Sequence, residues 1–331
     1  MHEQGSRIPA MVSLFLLTTA ILVMARSFSP LQVFLADRFN PGTGWLQIII
    51  MGGYASWVGS LLLKQTRRAS LIRSRIWGLF SLVFFAQLVF GLAGAELLLM
   101  TGDLHIPVPA LIADGPVYRG GEGLFMPVLY GISLLLVGPA WCSWLCYIGA
   151  WDDKLSRLKK PAATTIPRWA TLGLRTGILL LVLVAAFILG YSGVPWQAAA
   201  VLAIGFGLAG IAVMLFLSAG TGHMVHCTVF CPIGLLSNTL GRLNPFRIRI
   251  APGCTSCGAC AQVCRYSALN QEDIRKGKPG LTCTLCGDCV NICPESVLGY
   301  RFLHFSPQTA RTLFIILVVS LHVVFLSTAR I

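Results

Sequence analysis

The chain reads as a succession of long apolar stretches separated by short, mostly basic connections. Seven stretches are long enough to cross a hydrocarbon core, which takes about 20 helical residues. They are Ile8–Ala25, Trp45–Leu63, Ile76–Met100, Leu124–Trp141, Trp169–Tyr191, Gln197–Leu217 and Thr312–Thr328. The first lacks a convincing small-residue cleavage site, so it reads as a span and not as a signal peptide. The long segment Ser218–Arg311 breaks the series and predicts a small soluble insert before the last span.

Composition narrows the class. Of 331 residues 56% are apolar and 11% charged, against roughly 25% charged in an ordinary soluble domain, which excludes a soluble enzyme. The net charge of +13 is a topology signal, because cytoplasmic loops of membrane proteins collect Lys and Arg. Lys64, Arg67, Arg68, Arg73 and Arg75 crowd between spans two and three, and Lys154, Arg157, Lys159, Lys160 and Arg168 between spans four and five. Placing both loops in the cytoplasm puts the amino terminus and the insert inside and the carboxyl terminus outside, and a bacterial inner membrane fits best. The Thr101–Gly123 loop, with Arg119 against Asp103, Asp114 and Glu122, then falls outside. Nucleic acid drops out as a partner, while anionic lipid or an acidic protein suits the basic face.

The twelve cysteines fall in four groups. Cys254, Cys257, Cys260 and Cys264 follow C-x2-C-x2-C-x3-C, and Cys283, Cys286, Cys289 and Cys293 repeat it, ending in Pro294. In a bacterial two-cluster ferredoxin the fourth cysteine of each run serves the other cluster. The spacing therefore assigns Cys254, Cys257, Cys260 and Cys293 to one [4Fe-4S] cluster, and Cys283, Cys286, Cys289 and Cys264 to a second. Gly258 and Gly287 occupy matching places, where a tight loop needs backbone freedom. Zinc sites usually pair two C-x2–4-C groups, and disulfides are disfavoured on the cytoplasmic side. Arg265 stands where the first run would carry proline.

The remaining four cysteines form an internal repeat, C-x3-C-x-I-G, at Cys142–Cys146 and Cys227–Cys231, 85 positions apart (227 − 142). On a helix an i, i+4 spacing puts both sulfurs of a pair on one face. Two such pairs brought together would supply four soft ligands, predicting a third metal centre, iron–sulfur or other, shared by Cys142, Cys146, Cys227 and Cys231. A redox-active or metal-transferring thiol set, and cysteines simply packed at helix ends, remain the alternatives.

This cysteine set on a multi-span chain resembles the NapH/NosR/CcoG group of membrane iron–sulfur proteins, over roughly Gly123–Arg301. Cys231-Pro232 matches that group's C-x3-C-P pattern, while Cys146-Tyr147 and Cys264-Arg265 depart from it. The resemblance implies quinol-linked electron transfer to or from subunits of a respiratory complex. The alternatives are a copper-reducing maturation factor for a respiratory enzyme and a non-catalytic anchor or redox-sensing subunit. Quinol oxidation also needs proton acceptors near a membrane face. Glu96, at the end of span three, and His105 in the outer loop are the candidates on one side, with Asp114, Tyr118 and Glu122 weaker. His223 and His226, just before Cys227, are the cofactor-binding candidates on the other. His322 in the last span reads as a packing histidine, and Arg175 in span five as a side chain reaching for the inner face. The expected architecture is thus an all-α polytopic membrane protein: residues 1–250 form a six-helix membrane domain carrying the C-x3-C motifs, 251–303 a small α+β two-[4Fe-4S] ferredoxin-like insert, and 304–331 a last transmembrane helix.

Overall fold

The computed structural model describes residues 7–29, 32–65, 68–98, 115–118, 120, 124–162, 166–167 and 169–328. The chain is mostly helical, and seven helices among these residues are long and apolar enough to cross a membrane. The spans are Ile8–Phe28, Gly44–Lys64, Ala69–Leu92, Phe125–Leu145, Trp169–Tyr191, Gln197–Thr221 and Pro307–Thr328. Span three departs most from the hydropathy reading. It begins at Ala69, so Arg73 and Arg75 lie inside the helix, and Arg73 is buried with its guanidinium carbon 5.3 Å from the Trp77 ring centroid. The helix ends at Leu92, where Gly94 turns the chain at φ +116°. Hydropathy averages over such a glycine and does not see it.

Contacts divide the chain into two units. The first takes residues 1–104 and 304–331, and the second residues 105–303. In the first unit, spans one, two and seven pack on one another and span three joins spans two and seven. Span two turns Gly52, Ala55 and Gly59 inward. A Cβ at Gly52 would come within 2.5 Å of Thr19 Cγ2, so these small residues let the backbones of spans one and two approach. Hydroxyls and amides tie the bundle where lipid offers no alternative partner. The Thr18 hydroxyl donates to Ser320 Oγ (3.0 Å), that of Ser56 to the Met11 carbonyl (2.7 Å), and Gln47 Nε2 to the Ser327 carbonyl (3.2 Å). Two of these bonds, from Thr18 and Gln47, tie span seven to spans one and two.

The turn between spans one and two is held by one ion pair. Arg26 donates twice to Asp37 (2.9 and 3.0 Å), and its guanidinium carbon lies 4.5 Å from the Trp45 centroid. Asp37 also accepts from the amides of Gly42 (3.1 Å) and Gly44 (2.8 Å), which leads span two.

In the second unit, spans four to six carry the insert. Two further helices, α1 (Tyr147–Ser156) and α2 (Pro232–Leu240), follow spans four and six. The insert closes with an antiparallel pair, β1 (Arg247–Ile250) and β2 (Leu298–Arg301), in the register Ile248 opposite Tyr300. Ile248, Leu298 and Tyr300 point inward while Arg249 and Arg301 face out, the alternation expected of a half-buried strand pair.

Because Arg26 holds the Asp37 carboxyl below the usual carboxylate range, with the Gly44 and Gly42 amides acting the same way against burial, its contribution is present above the unfolded-state pKa near 3.9 and lost as pH falls through the folded value. Asp37→Asn should cost about 1–3 kcal/mol at pH 7. Thermal unfolding in detergent across pH 3–7 should show a smaller acid-side loss in the variant than in the wild type; equal pH profiles would refute the assignment.

Candidate metal centres

Each C-x3-C motif sits on a single π-helical turn, Trp141–Leu145 in the first repeat and His226–Phe230 in the second. The closing bonds match: the Cys146 amide donates to the Trp141 carbonyl (2.9 Å) and the Cys231 amide to the His226 carbonyl (2.7 Å). The expected α-helical i, i+4 face is therefore replaced by an i→i−5 turn, a feature that often marks functional sites. The second cysteine of each pair then leaves the helix in extended geometry, with φ/ψ of −77°/111° at Cys146 and −73°/117° at Cys231, and caps the next helix. This accounts for the rest of the motif. The amides of the following Ile-Gly pair, Ile148-Gly149 or Ile233-Gly234, lie at a helix start and favour the cysteine thiolate. At Gly234 a Cβ would stand 2.5 Å from the Cys227 carbonyl oxygen, so the close approach needs glycine.

The repeats interlock. Helix α1 packs on the second motif and α2 on the first. Asp152, fully buried on α1, accepts from the Cys227 amide at 3.0 Å. Ser237, which holds the same place in the second repeat, is buried on α2 and interacts with Cys142. The next pair differs too. Asp153 receives Arg157 (2.8 and 3.0 Å), whereas Asn238 Oδ1 accepts from Arg175 Nη1 (3.1 Å).

This arrangement gathers four thiols, with Cys227 in electrostatic reach of Cys142, Cys231 and Cys146. Burial pushes the Cys146 thiol up to about 12 and raises those of Cys231 and, further still, Cys227. Left alone, such thiols stay protonated; a metal group, which binds the thiolate, supplies the missing positive charge. The donor set fits an iron–sulfur cluster, whose thiolate ligands are soft and are tuned by buried dipoles. Among the described residues no three His, Cys, Asp or Glu side chains converge closely enough for a single ion, whose tetrahedral thiolates would stand roughly 4 Å apart at a Zn–S length of about 2.3 Å.

The insert brings its thiols together in the two crossed sets. Cys254, Cys257, Cys260 and Cys293 line one open recess. Cys289 lies in electrostatic reach of Cys286, Cys283 and Cys264. Gly258 and Gly287 adopt φ +76° and +82°, the left-handed geometry that suits glycine. A Cβ at Gly287 would also meet the Tyr300 hydroxyl at 2.5 Å. The sets differ in exposure. Cys257 is exposed, while burial lifts the Cys264 and Cys283 thiols to about 12.

Several bonds join the insert to the C-x3-C motifs. The Ser143 hydroxyl, next to Cys142, donates to the Thr284 carbonyl (2.8 Å), between Cys283 and Cys286. The Tyr266 hydroxyl donates to the Cys142 carbonyl (3.2 Å), and Arg157 reaches Asp288 (3.4 Å). Arg265 donates to the carbonyls of Ser156, Lys159 and Gly222. The departure from proline at 265 thus has a structural purpose, since proline would supply none of these donors.

Other predicted residues are scattered. His223 is buried with Nε2 3.1 Å from the Ala162 carbonyl oxygen. His226 is buried against Gly210, where a Cβ would stand 2.7 Å from its ring, and burial lowers its imidazole to about 4. Glu96 lies outside span three, exposed on the short turn Glu96–Leu98. Tyr118 donates its hydroxyl to the Val194 carbonyl (2.5 Å). His105, Asp103, Asp114 and Glu122 lie outside the described residues. His322 is buried in the first unit, its ring 5.3 Å from Phe80. Arg175 does not reach for the inner face: it is fully buried, bonded to the Thr171 and Cys227 carbonyls and to Asn238. Asp152, Ser237, Asn238 and Arg175 escaped sequence reasoning. Extending the repeat alignment seven residues past Cys146 and Cys231 pairs Asp152-Asp153 with Ser237-Asn238 and exposes the first three.

A family model described as a 4Fe-4S binding domain matches residues 122–162 and 201–250, the two stretches that hold the C-x3-C motifs. The chain is similar to methylamine utilization ferredoxin-type protein MauN of Methylorubrum extorquens (27% identity over 185 residues) and of Paracoccus denitrificans (26% over 186). It is also similar to the putative electron transport protein YccM of Escherichia coli, at 29% identity over 202 residues. These matches cover 52%, 52% and 53% of this chain and 63%, 64% and 52% of the relatives, so the chain spans between half and two thirds of their length. No solved structure matches it. Seven apolar helices, a ferredoxin-type 4Fe-4S binding domain and homology to electron-transport proteins fit a family of membrane iron–sulfur proteins. The likeness to these ferredoxin-type relatives supports a role in electron transfer.

A third cluster on the C-x3-C set, beside two on the insert, would make the double variant Cys142→Ser/Cys227→Ser lose about a third of the iron of anaerobically purified protein while keeping the insert's two-cluster signal. Unchanged iron would refute a cluster on these four thiols.

Proposed function

We propose that this chain passes electrons between the quinone pool and a redox partner protein, as the quinol-oxidising component of a respiratory assembly, by way of three thiolate-held [4Fe-4S] groups. The observation that supports this most is the pair of hydrogen bonds, Ser143 to Thr284 and Tyr266 to Cys142, that tie the C-x3-C set at the membrane edge to the ferredoxin-type loops. When bound, the clusters supply one-electron steps at potentials set by their surroundings. The chain's own residues do the rest. Cys142, Cys146, Cys227 and Cys231 form the membrane-side station. Cys283, Cys286 and Cys289, on the loop that Ser143 holds, follow together with Cys264 of the first run. Cys254, Cys257, Cys260 and Cys293 form the outer station, where the exposed Cys257 lies on the side open to a partner.

Each quinol oxidised to quinone yields two electrons and two protons. The electrons leave singly for a one-electron acceptor protein, and the protons pass to ionisable groups at the membrane faces. Glu96 and His105 are the candidates on one side. His223 and His226, just before Cys227, are the cofactor-binding candidates on the other, placed to hold a quinone head or tune the neighbouring centre. In the orientation given by the basic loops, the amino terminus and insert face the cytoplasm of a bacterial inner membrane.

Anaerobic addition of menaquinol or ubiquinol analogues to oxidised, purified protein tests this reading. Bleaching of the cluster absorbance and appearance of paramagnetic signals at a rate compatible with turnover is the expected result. Clusters that dithionite reduces and quinols do not would refute quinol oxidation.

A further inference from the structure

Arg175 carries a full positive charge into the second unit's interior. Its side chain is 0% exposed, and an arginine in a protein does not lose its proton. Nε donates to the Thr171 carbonyl (2.6 Å), and Nη1 to the Cys227 carbonyl (3.3 Å) and Asn238 Oδ1 (3.1 Å). Nη2 has no hydrogen-bond partner. All of these acceptors are neutral. Among the described residues no carboxylate pairs with Arg175, whereas Cys142, Cys231 and Cys227 are within its electrostatic reach. A buried charge is costly unless it is balanced, and the balancing groups within its reach are cysteines that become thiolates when they hold a metal group.

The broken repeat points the same way. Asp153 in the first repeat corresponds to Asn238 in the second. Asp153 neutralises Arg157, while Asn238 orients Arg175 and leaves its charge unspent. We propose that Arg175 is a positioning residue that supplies the fixed counter-charge of the C-x3-C centre and thereby raises its reduction potential. This rests on the reading that Cys142, Cys146, Cys227 and Cys231 hold an electron-carrying group. One electron gained makes the thiolate-bound group more negative by one unit, and a cation fixed nearby in a low-dielectric interior favours that state over the oxidised one.

The test is a redox titration, followed by paramagnetic resonance, of the purified full-length protein as wild type, Arg175→Lys, Arg175→Gln and Asn238→Asp. The glutamine variant removes the charge. The aspartate variant keeps Arg175 and its acceptor but neutralises it in place. Both should shift one centre to lower potential by at least tenfold in its one-electron equilibrium, which is 59 mV, with the other centres and the iron content unchanged. The lysine variant should stay near wild type. Unchanged potentials in Arg175→Gln and Asn238→Asp at full iron content would overturn the proposal, as would a lysine variant shifted as far as the glutamine one. If Arg175→Gln loses iron, Asn238→Asp decides alone. A Cys142→Ser/Cys227→Ser protein with wild-type iron and signals would instead remove the underlying reading.

Discussion

The second unit is organised around the cost of burying four thiols at the edge of a membrane. A thiolate in a low-dielectric interior is unstable without compensating positive charge, and a thiol that stays protonated binds no metal. Each local departure from regular structure supplies part of that compensation. The π turns end in an extended cysteine, so that α1 and α2 begin with their amides toward a sulfur. Gly234 permits the close approach of α2 to the Cys227 carbonyl, and Arg175 enters from span five. Remove the requirement to hold thiolates and the reasons for these features, and for a buried unpaired arginine, disappear together.

Approximate twofold repetition supplies the geometry, and its imperfections divide the roles. Interlocked packing of α1 on the second motif and α2 on the first means neither half closes its own site. A carboxylate faces the amide of Cys227 where a hydroxyl faces Cys142, and an amide orients one arginine where a carboxylate neutralises the other. The same fold thus surrounds its two cysteine pairs with different charge.

The sequence made the apolar spans and the cysteine grouping legible because both are written in short-range pattern: length and hydropathy for the first, ligand spacing for the second. The crossed sets, with Cys293 beside Cys254 and Cys264 in reach of Cys289, follow from the same spacing. What pattern does not carry is where a helix stops inside an apolar run, and what a lone charge finds once the chain is packed. Gly94 moved Glu96 out of span three. Arg175 looked like a side chain bound for water because its partners, Cys227 and Asn238, lie more than fifty residues away in sequence. Span seven is tied to spans one and two through Thr18–Ser320 and Gln47–Ser327, contacts no periodicity announces.

The docking of the insert explains why its two runs are not interchangeable. The loop holding Cys283 and Cys286 is pinned through Thr284 to Ser143, and the stretch after Cys264 through Tyr266 and Arg265. These bonds involve both ends of one crossed set. The other set is left to line an open recess with Cys257 exposed. Crossing the fourth ligand is what makes this work, because each run then contributes to both stations and neither can swing away without the other. A second run alone could be anchored, but the station beyond it would be free to wander. Electron transfer is sensitive to distance, and the proposed relay depends on that mutual constraint between the two runs.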